Sequence, residues 1–185
     1  SAIGMTAILY KIPEWYIIDV VGLIIGAAAS SIFGISLAVL PAIILLVILA
    51  VYDAISVYKT KHMVSLAEGV MDLKLPILFV IPKRFNYSFR EETFNSDDDE
   101  RGAFFMGLGD AVMPTILVVS SNVFVQHSGI ISYPALGGMI GTIFGFFALS
   151  LFIMKGKPQA GLPFLNSGVI LGYFVGAFLS GVPLI

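Results

Sequence analysis

The sequence contains no cysteine and little charge of either sign. Without cysteine, the 185-residue chain can form no disulfide, no thiolate nucleophile and no cysteine-ligated metal site. Only 12% of its residues are charged, and the formal net charge is −2. This balance argues against a nucleic acid as partner, because such partners are held by basic patches.

Apolar residues, by contrast, make up 58% of the sequence, and the mean hydropathy is +0.98. A soluble domain averages about 45–50% apolar and about 25% charged residues. A soluble fold of this size cannot hide so much apolar surface, so the bilayer must solvate much of it. We therefore predict an all-α, polytopic transmembrane helical bundle, because a backbone in lipid must satisfy its hydrogen bonds internally.

Charged residues divide the sequence into five apolar blocks that are long enough to cross a bilayer. Each has about 20 residues or more, as ~30 Å of hydrocarbon requires at a rise of ~1.5 Å per residue. The predicted spans are 15–37, 38–58, 103–125, 129–154 and 162–185. Glycines with a spacing that favours close helix–helix approach recur in the last span, at Gly168, Gly172, Gly176 and Gly181.

The basic residues set the orientation of these spans. All ten fall on one side of the membrane, namely Lys11, Lys59, Lys61, Lys74, Lys83, Arg84, Arg90, Arg101, Lys155 and Lys157. That side is predicted to be the cytoplasm. Residues 59–102 then form one cytoplasmic loop region, partly disordered, with a solvated acidic run at Asp97–Glu100.

Three aspartates lie within the predicted spans, where an ionisable residue is costly and usually functional. Asp19 lies close to the cytoplasmic end of its span, which favours a solvated structural role. Asp53 lies five residues before the end of the second span, and Asp110 seven residues after the start of the third. Both carboxylates are then roughly 8–11 Å below the same surface. Because these two spans run antiparallel, the side chains can face each other.

Paired carboxylates suggest acid–base chemistry. Two such groups in a low dielectric cannot both ionise easily, so one stays protonated while the other acts as general base. The pair could take a proton from water and polarise a peptide carbonyl. His62 and His127 are the only histidines and fall on opposite sides of the membrane, so neither a serine–histidine pair nor a zinc site competes well. Glycines before Asp110 allow a neighbouring helix or backbone to come near.

Two motifs carry a resemblance to a known family. Tyr52-Asp53 in one span and Gly107-Leu108-Gly109-Asp110 in the next resemble the presenilin and signal peptide peptidase family of GxGD intramembrane aspartyl proteases. In that family these are the sixth and seventh of nine spans, so the five predicted here look like the fifth to ninth. The first four would be missing, and residues 1–10 would be the end of the fourth.

The resemblance implies that Asp53 and Asp110 are the catalytic residues of an intramembrane endopeptidase, with no metal and no organic cofactor. It implies a lipid bilayer as solvent and transmembrane helices of other proteins as substrates, and it leaves a homo-oligomer open. Apart from the resemblance, segment 75–82 has strand-like residues bracketed by prolines. It would be either an extended segment that lies on the membrane surface or pairs with an extended substrate, or an apolar loop that dips into the interface.

The family's third motif, Pro-Ala-Leu, has two candidates. Pro134-Ala135-Leu136 matches in letters but lies on the external side, where it is predicted to start a helix. Ala160-Gly161-Leu162-Pro163 matches poorly in letters but opens the fifth span on the cytoplasmic side, beside both aspartates. Location favours the second, which the resemblance implies would shape the active site and help to place substrate.

Members of the resembled family differ in the side of the membrane on which the loop between the two aspartate helices lies: the cytoplasm in presenilins, the other side in signal peptide peptidases. The cytoplasmic loop predicted here is the presenilin-like arrangement. We predict a protein of the cell membrane. The compact loop suggests a microbial, archaeal homologue. Three alternatives stay open: a prepilin- or preflagellin-type GxGD peptidase that cuts outside the membrane, a cation or proton transporter or channel that uses the paired aspartates, and a purely structural membrane subunit.

Overall fold

In a computed structural model of the chain, the described residues are 15–57, 78–82, 103–126, 129–153 and 160–181. Five helices and two strands lie within these ranges: α1 Trp15–Ser36, α2 Val39–Ile55, β1 Leu78–Pro82, β2 Ala103–Gly107, α3 Leu108–Phe124, α4 Tyr133–Ile153 and α5 Gly161–Ser180. By length and composition α1, α4 and α5 can each cross a membrane, whereas α2 and α3 are apolar helices of 17 residues. Polytopic helical architecture is therefore the class of this fold, as predicted.

The third predicted span is wrong in its first five residues. Residues 103–107 form β2, which pairs antiparallel with β1 so that Phe79 lies opposite Met106 and Ile81 opposite Phe104. The helix begins only at Leu108, where this pairing ends. Apolar residues suit a buried helix and a strand equally well, so composition could not place this boundary. Residues 78–82 of the strand-like segment form the partner strand.

Several sequence predictions concern residues outside the described ranges. These are the end of an earlier span at 1–10, most of the loop 59–102 with its acidic run Asp97–Glu100, the two histidines and all ten basic residues. The chain divides into two compact units, residues 1–26 with 64–109 and residues 27–63 with 110–185. The second unit contains most of the described core.

The core of the second unit is formed by α2, α3, α4 and α5. Its fully buried side chains include Leu46 on α2, Leu117 on α3, and Val169 and Tyr173 on α5. Burial of each removes apolar surface and fills space between helices. Many large apolar side chains on the opposite helix faces are exposed, for example Ile48, which suits helices that face lipid.

Helices α4 and α5 approach closely because glycines of each face the backbone of the other. A Cβ added at Gly141 would collide with the carbonyl oxygen of Gly168, and one at Gly172 with that of Gly137. The stripe comprises Gly137, Gly141, Gly145, Gly168, Gly172 and Gly176. The predicted close approach is thus confirmed for three of the four glycines of the last span. Gly181 has another role, since it ends α5 in the left-handed conformation at φ 65°.

The far end of the second unit is held by side-chain hydrogen bonds to the backbone. Ser132, fully buried, precedes α4 and accepts a bond from the Ala135 backbone N–H at 3.3 Å, as a helix N-cap does. Its hydroxyl also donates to the carbonyl of Ser121 at 3.2 Å. Asn122 accepts from the Ser132 N–H at 2.8 Å, so the start of α4 is tied to the end of α3.

Candidate active site

Asp53 and Asp110 occupy matching positions at the ends of neighbouring helices in the sequence. Asp53 lies two residues before the end of α2 at Ile55, and Asp110 two residues after the start of α3 at Leu108. Both side chains are half-buried. Each aspartate is closer to its helix end than the predicted spans implied, because α2 ends at Ile55 and α3 begins only at Leu108.

The first turn of α5 lies against both carboxylates. The backbone N–H of Leu162 donates a hydrogen bond to Oδ2 of Asp53 at 3.2 Å. The first N–H groups of any helix have no partner within the helix, so one of them is available for this bond. Ala160 is the N-cap residue of α5, and its side chain cannot accept a hydrogen bond. The free N–H groups of the first turn therefore need an acceptor from elsewhere in the protein.

Asp110 contacts the same turn at Gly161. A Cβ added to Gly161 would lie 2.8 Å from Oδ2 of Asp110 and 3.2 Å from its Cγ, both closer than ordinary van der Waals contact. The glycine is itself buried. Its missing side chain therefore makes the space that the carboxylate occupies.

Both carboxylates lie against the first turn of α5, Asp53 at Leu162 and Asp110 at Gly161. The positive end of the α5 macrodipole and the Leu162 N–H are favourable partners for a negative charge on Asp53. Two carboxylates that share one site ionise less easily together than singly, so a pair placed in this way can share a proton.

The remaining sequence-predicted residues divide into two groups. Ala160 and Pro163 belong to the turn beside the carboxylates, and Pro163 lies where a helix tolerates a residue without an N–H. By contrast, the Tyr52 side chain is 69% exposed. Gly107 and Leu108 are half-buried, whereas Gly109 is exposed, and a Cβ added there would meet no atom of the described residues within 4 Å.

Pro134-Ala135-Leu136 starts α4 far from the carboxylates. The Cα of Pro134 would lie 2.9 Å from a Cβ added to Gly176. Gly176 comes fifteen residues after Gly161 on α5, a separation of roughly 20 Å along a helix. This segment therefore has no part in the arrangement around Asp53 and Asp110.

Comparison with known proteins agrees with this geometry. The family described as "Signal-peptide peptidase, presenilin aspartyl protease" matches residues 1–182. The chain belongs to this family. It is also similar to a solved presenilin family intramembrane aspartate protease, with 46% sequence identity and a TM-score of 0.66. The match covers 96% of this chain and 58% of the solved one, so the chain spans little more than half of that relative's length. No curated protein matches.

The predicted family resemblance is thereby confirmed, and neither the prepilin-type peptidase nor the transporter is favoured. Within the described part of this presenilin-family chain, no three side chains of the His, Asp and Glu types are grouped so that they could hold a metal ion.

Sequence reasoning missed one polar residue next to the presenilin-family site. Asn166 lies on α5 one turn after Leu162, and its amide N–H₂ donates to the backbone carbonyl of Leu46 at 2.9 Å. The signal was present, because an amide side chain in an apolar span usually bonds across to another helix. An uncharged residue attracts less notice than an aspartate in the same setting.

Proposed function

We propose that this chain is the catalytic part of an intramembrane aspartyl endopeptidase that cuts peptide bonds within transmembrane helices of other proteins. One observation supports this above the others: two carboxylates from two helices lie against the same helical turn, at Gly161 and Leu162. Family membership makes peptide hydrolysis the natural chemistry for such a pair.

The two aspartates would divide the work of hydrolysis. One, ionised, takes a proton from water as the water oxygen attacks the scissile carbonyl carbon. The other, protonated, donates to the carbonyl oxygen, and a gem-diol forms. Its collapse breaks the C–N bond: the first aspartate gives its proton to the leaving nitrogen, and one hydroxyl of the gem-diol returns a proton to the second aspartate, which leaves a carboxylic acid and an amine. Because two ionised carboxylates at one site repel each other, the pair retains one shared proton, which leaves one aspartate as base and the other as acid.

A substrate helix hides its carbonyls in its own hydrogen bonds, so it must unwind locally before attack. Gly109, which precedes Asp110 in the GxGD motif and is exposed, lacks a side chain that would hinder an unwound backbone. This proposal assigns Gly109 to substrate approach, and Gly161 with Leu162 to placement of the carboxylates.

The test is cleavage of a single-span substrate by the purified protein in bilayers, with products identified by mass. Asp53→Asn and Asp110→Asn keep side-chain shape and remove the acid, so each should abolish cleavage within the substrate span while the protein stays folded. Asp19→Asn is the matched control, because it makes the same change in another apolar helix, and it should cleave like wild type. Cleavage by both dyad variants would refute the proposal, and ion flux would then be measured.

We further propose that the loop 59–102 faces the cytoplasm of a cell membrane, as the basic residues predict. The absence of cysteine makes a direct test possible. Single cysteines at Glu92 and at Gln126 can be labelled with a membrane-impermeant maleimide on intact cells. Gln126→Cys should react on intact cells and Glu92→Cys only after lysis. The reverse pattern would contradict this orientation.

A further inference from the structure

Asn166 is a buried amide with only part of its hydrogen-bonding capacity used. The side chain is 1% exposed, and its N–H₂ group donates to the Leu46 carbonyl at 2.9 Å. Within the described part of the chain, its Oδ1 has no hydrogen-bond partner. A buried polar atom without a partner is unfavourable, so packing alone would be better served by an apolar residue.

The hydrogen bond of Asn166 joins the two helices that meet at Asp53. Along α5, Leu162 precedes Asn166 by one turn, and along α2, Leu46 precedes Asp53 by about two turns. The helices therefore run antiparallel, with one bond from Leu162 to Asp53 and a second from Asn166 to Leu46. Helix side chains lean toward the N-terminus and carbonyls point toward the C-terminus, so the Asp53 side chain and the Leu46 carbonyl lean toward each other.

Two hydrogen bonds between α2 and α5 restrict both sliding and rotation of one helix on the other, which a single bond does not. A single bond from Leu162 to Asp53 would still let α5 slide or turn relative to α2. The second bond lies deeper among apolar side chains, between Leu165 and Val169, which are both buried. The glycine stripe holds α5 against α4, whereas Asn166 holds it against the helix that carries Asp53.

From this arrangement we propose that Asn166 is a positioning residue for the aspartate pair. Its bond to Leu46 fixes the register of α5 on α2, and so holds the Leu162 N–H on Asp53 and the bare Gly161 beside Asp110. The inference rests on the proposed protease function. Asn166 is too deeply buried to touch substrate, so it acts only through the first turn of α5.

Two replacements of different size separate positioning from packing. Asn166→Ala is smaller than asparagine and Asn166→Val is larger, but each removes the same hydrogen bond. Ser167→Ala is the matched control, because Ser167 is exposed and its hydroxyl donates to the Phe164 carbonyl of its own helix. For each variant, kcat and KM are measured with a single-span substrate, and Tm is measured in the same detergent.

Positioning predicts that kcat falls about tenfold in both variants and KM changes less than twofold, because a small misplacement of a catalytic group is costly. The loss would not follow Tm, and Ser167→Ala would behave like wild type. The proposal is overturned if either variant retains kcat within twofold. It is equally overturned if the loss of kcat follows the loss of Tm from one variant to the other, or if neither variant folds, because the role would then be structural.

Wild type and Asp53→Asn are assayed beside these variants. If wild type does not cleave, or if Asp53→Asn cleaves as well as wild type, the proposed function fails. If wild type cleaves, Asp53→Asn does not, and both Asn166 variants cleave normally, the function stands and the role of Asn166 fails.

Discussion

Replacement of Gly161 by alanine should impair catalysis without weakening the fold. The added Cβ would lie 2.8 Å from Oδ2 of Asp110, and the carboxylate must retreat by roughly half an ångström to reach an ordinary contact. Asp110 has a short side chain on a helix, so it can turn aside, but only away from its present position against the first turn of α5. A misplacement of ~1 Å can cost about a hundredfold in rate, so we expect a loss of about tenfold in kcat.

The letters of the family motif predict the opposite result. Ala-Gly-Leu becomes Ala-Ala-Leu, which is one residue closer to Pro-Ala-Leu, so resemblance alone would call the change harmless. Alanine also favours a helix over glycine, and Tm should therefore be equal or higher. For Gly161→Ala, the contact geometry therefore predicts a loss of activity, whereas the family motif predicts none.

The assay is steady-state cleavage of a single-span substrate, with Tm measured by loss of helical circular dichroism. Gly129→Ala is the matched control, because its added Cβ would meet its nearest neighbour at an ordinary 3.7 Å. A Gly161→Ala protein with unchanged kcat would refute the argument that Asp110 needs the space beside Gly161. A fall in Tm that accounts for the lost activity would refute it as well.

Three further replacements test other parts of the structure. Gly141→Ala drives a Cβ into the Gly168 carbonyl and should destabilise the protein by about 1–3 kcal/mol, seen as a lower Tm; an unchanged Tm would contradict the close packing of α4 and α5. Ser132→Ala removes the α4 N-cap and should cost about 1 kcal/mol in thermal or denaturant unfolding, whereas Ser150→Ala should cost much less, because the half-buried Ser150 hydroxyl bonds to the Phe146 carbonyl of its own helix. The Cβ of Gly109→Ala would meet no atom of the described residues within 4 Å, so Tm should hold while KM for a single-span substrate rises; an unchanged KM would argue against substrate approach there.

Ionisable residues in apolar sequence were the most informative features before the structure was known. Asp53 and Asp110 stood out because charge in lipid is costly, and the pattern of basic residues put both at the same side of the membrane. Orientation also favoured Ala160–Pro163 over Pro134–Leu136, although Pro134–Leu136 matches the family motif letter for letter. In the structure Ala160–Pro163 lies beside both carboxylates.

Features that depend on pairing between distant segments could not be predicted in the same way. The strand at 103–107 exists because 78–82 pairs with it, and its apolar residues equally suit the helix that was predicted. The separate role of Gly181 depends on a positive φ, which spacing does not reveal. Asn166 needed the position of the Leu46 carbonyl, 120 residues away in sequence, before its bond could be seen.

Helix α5 connects these observations, because it meets each part of the second unit at a different point along its length. Its first turn carries Gly161 and Leu162 to the carboxylates, Asn166 joins it to α2, and the glycines from Gly168 onward hold it against α4. A helix is stiff over this distance, so a shift forced at Gly172 is transmitted to the first turn. Stability and activity are therefore separable at Gly161, where only a carboxylate must move. They are coupled at Gly172, where the whole helix must move.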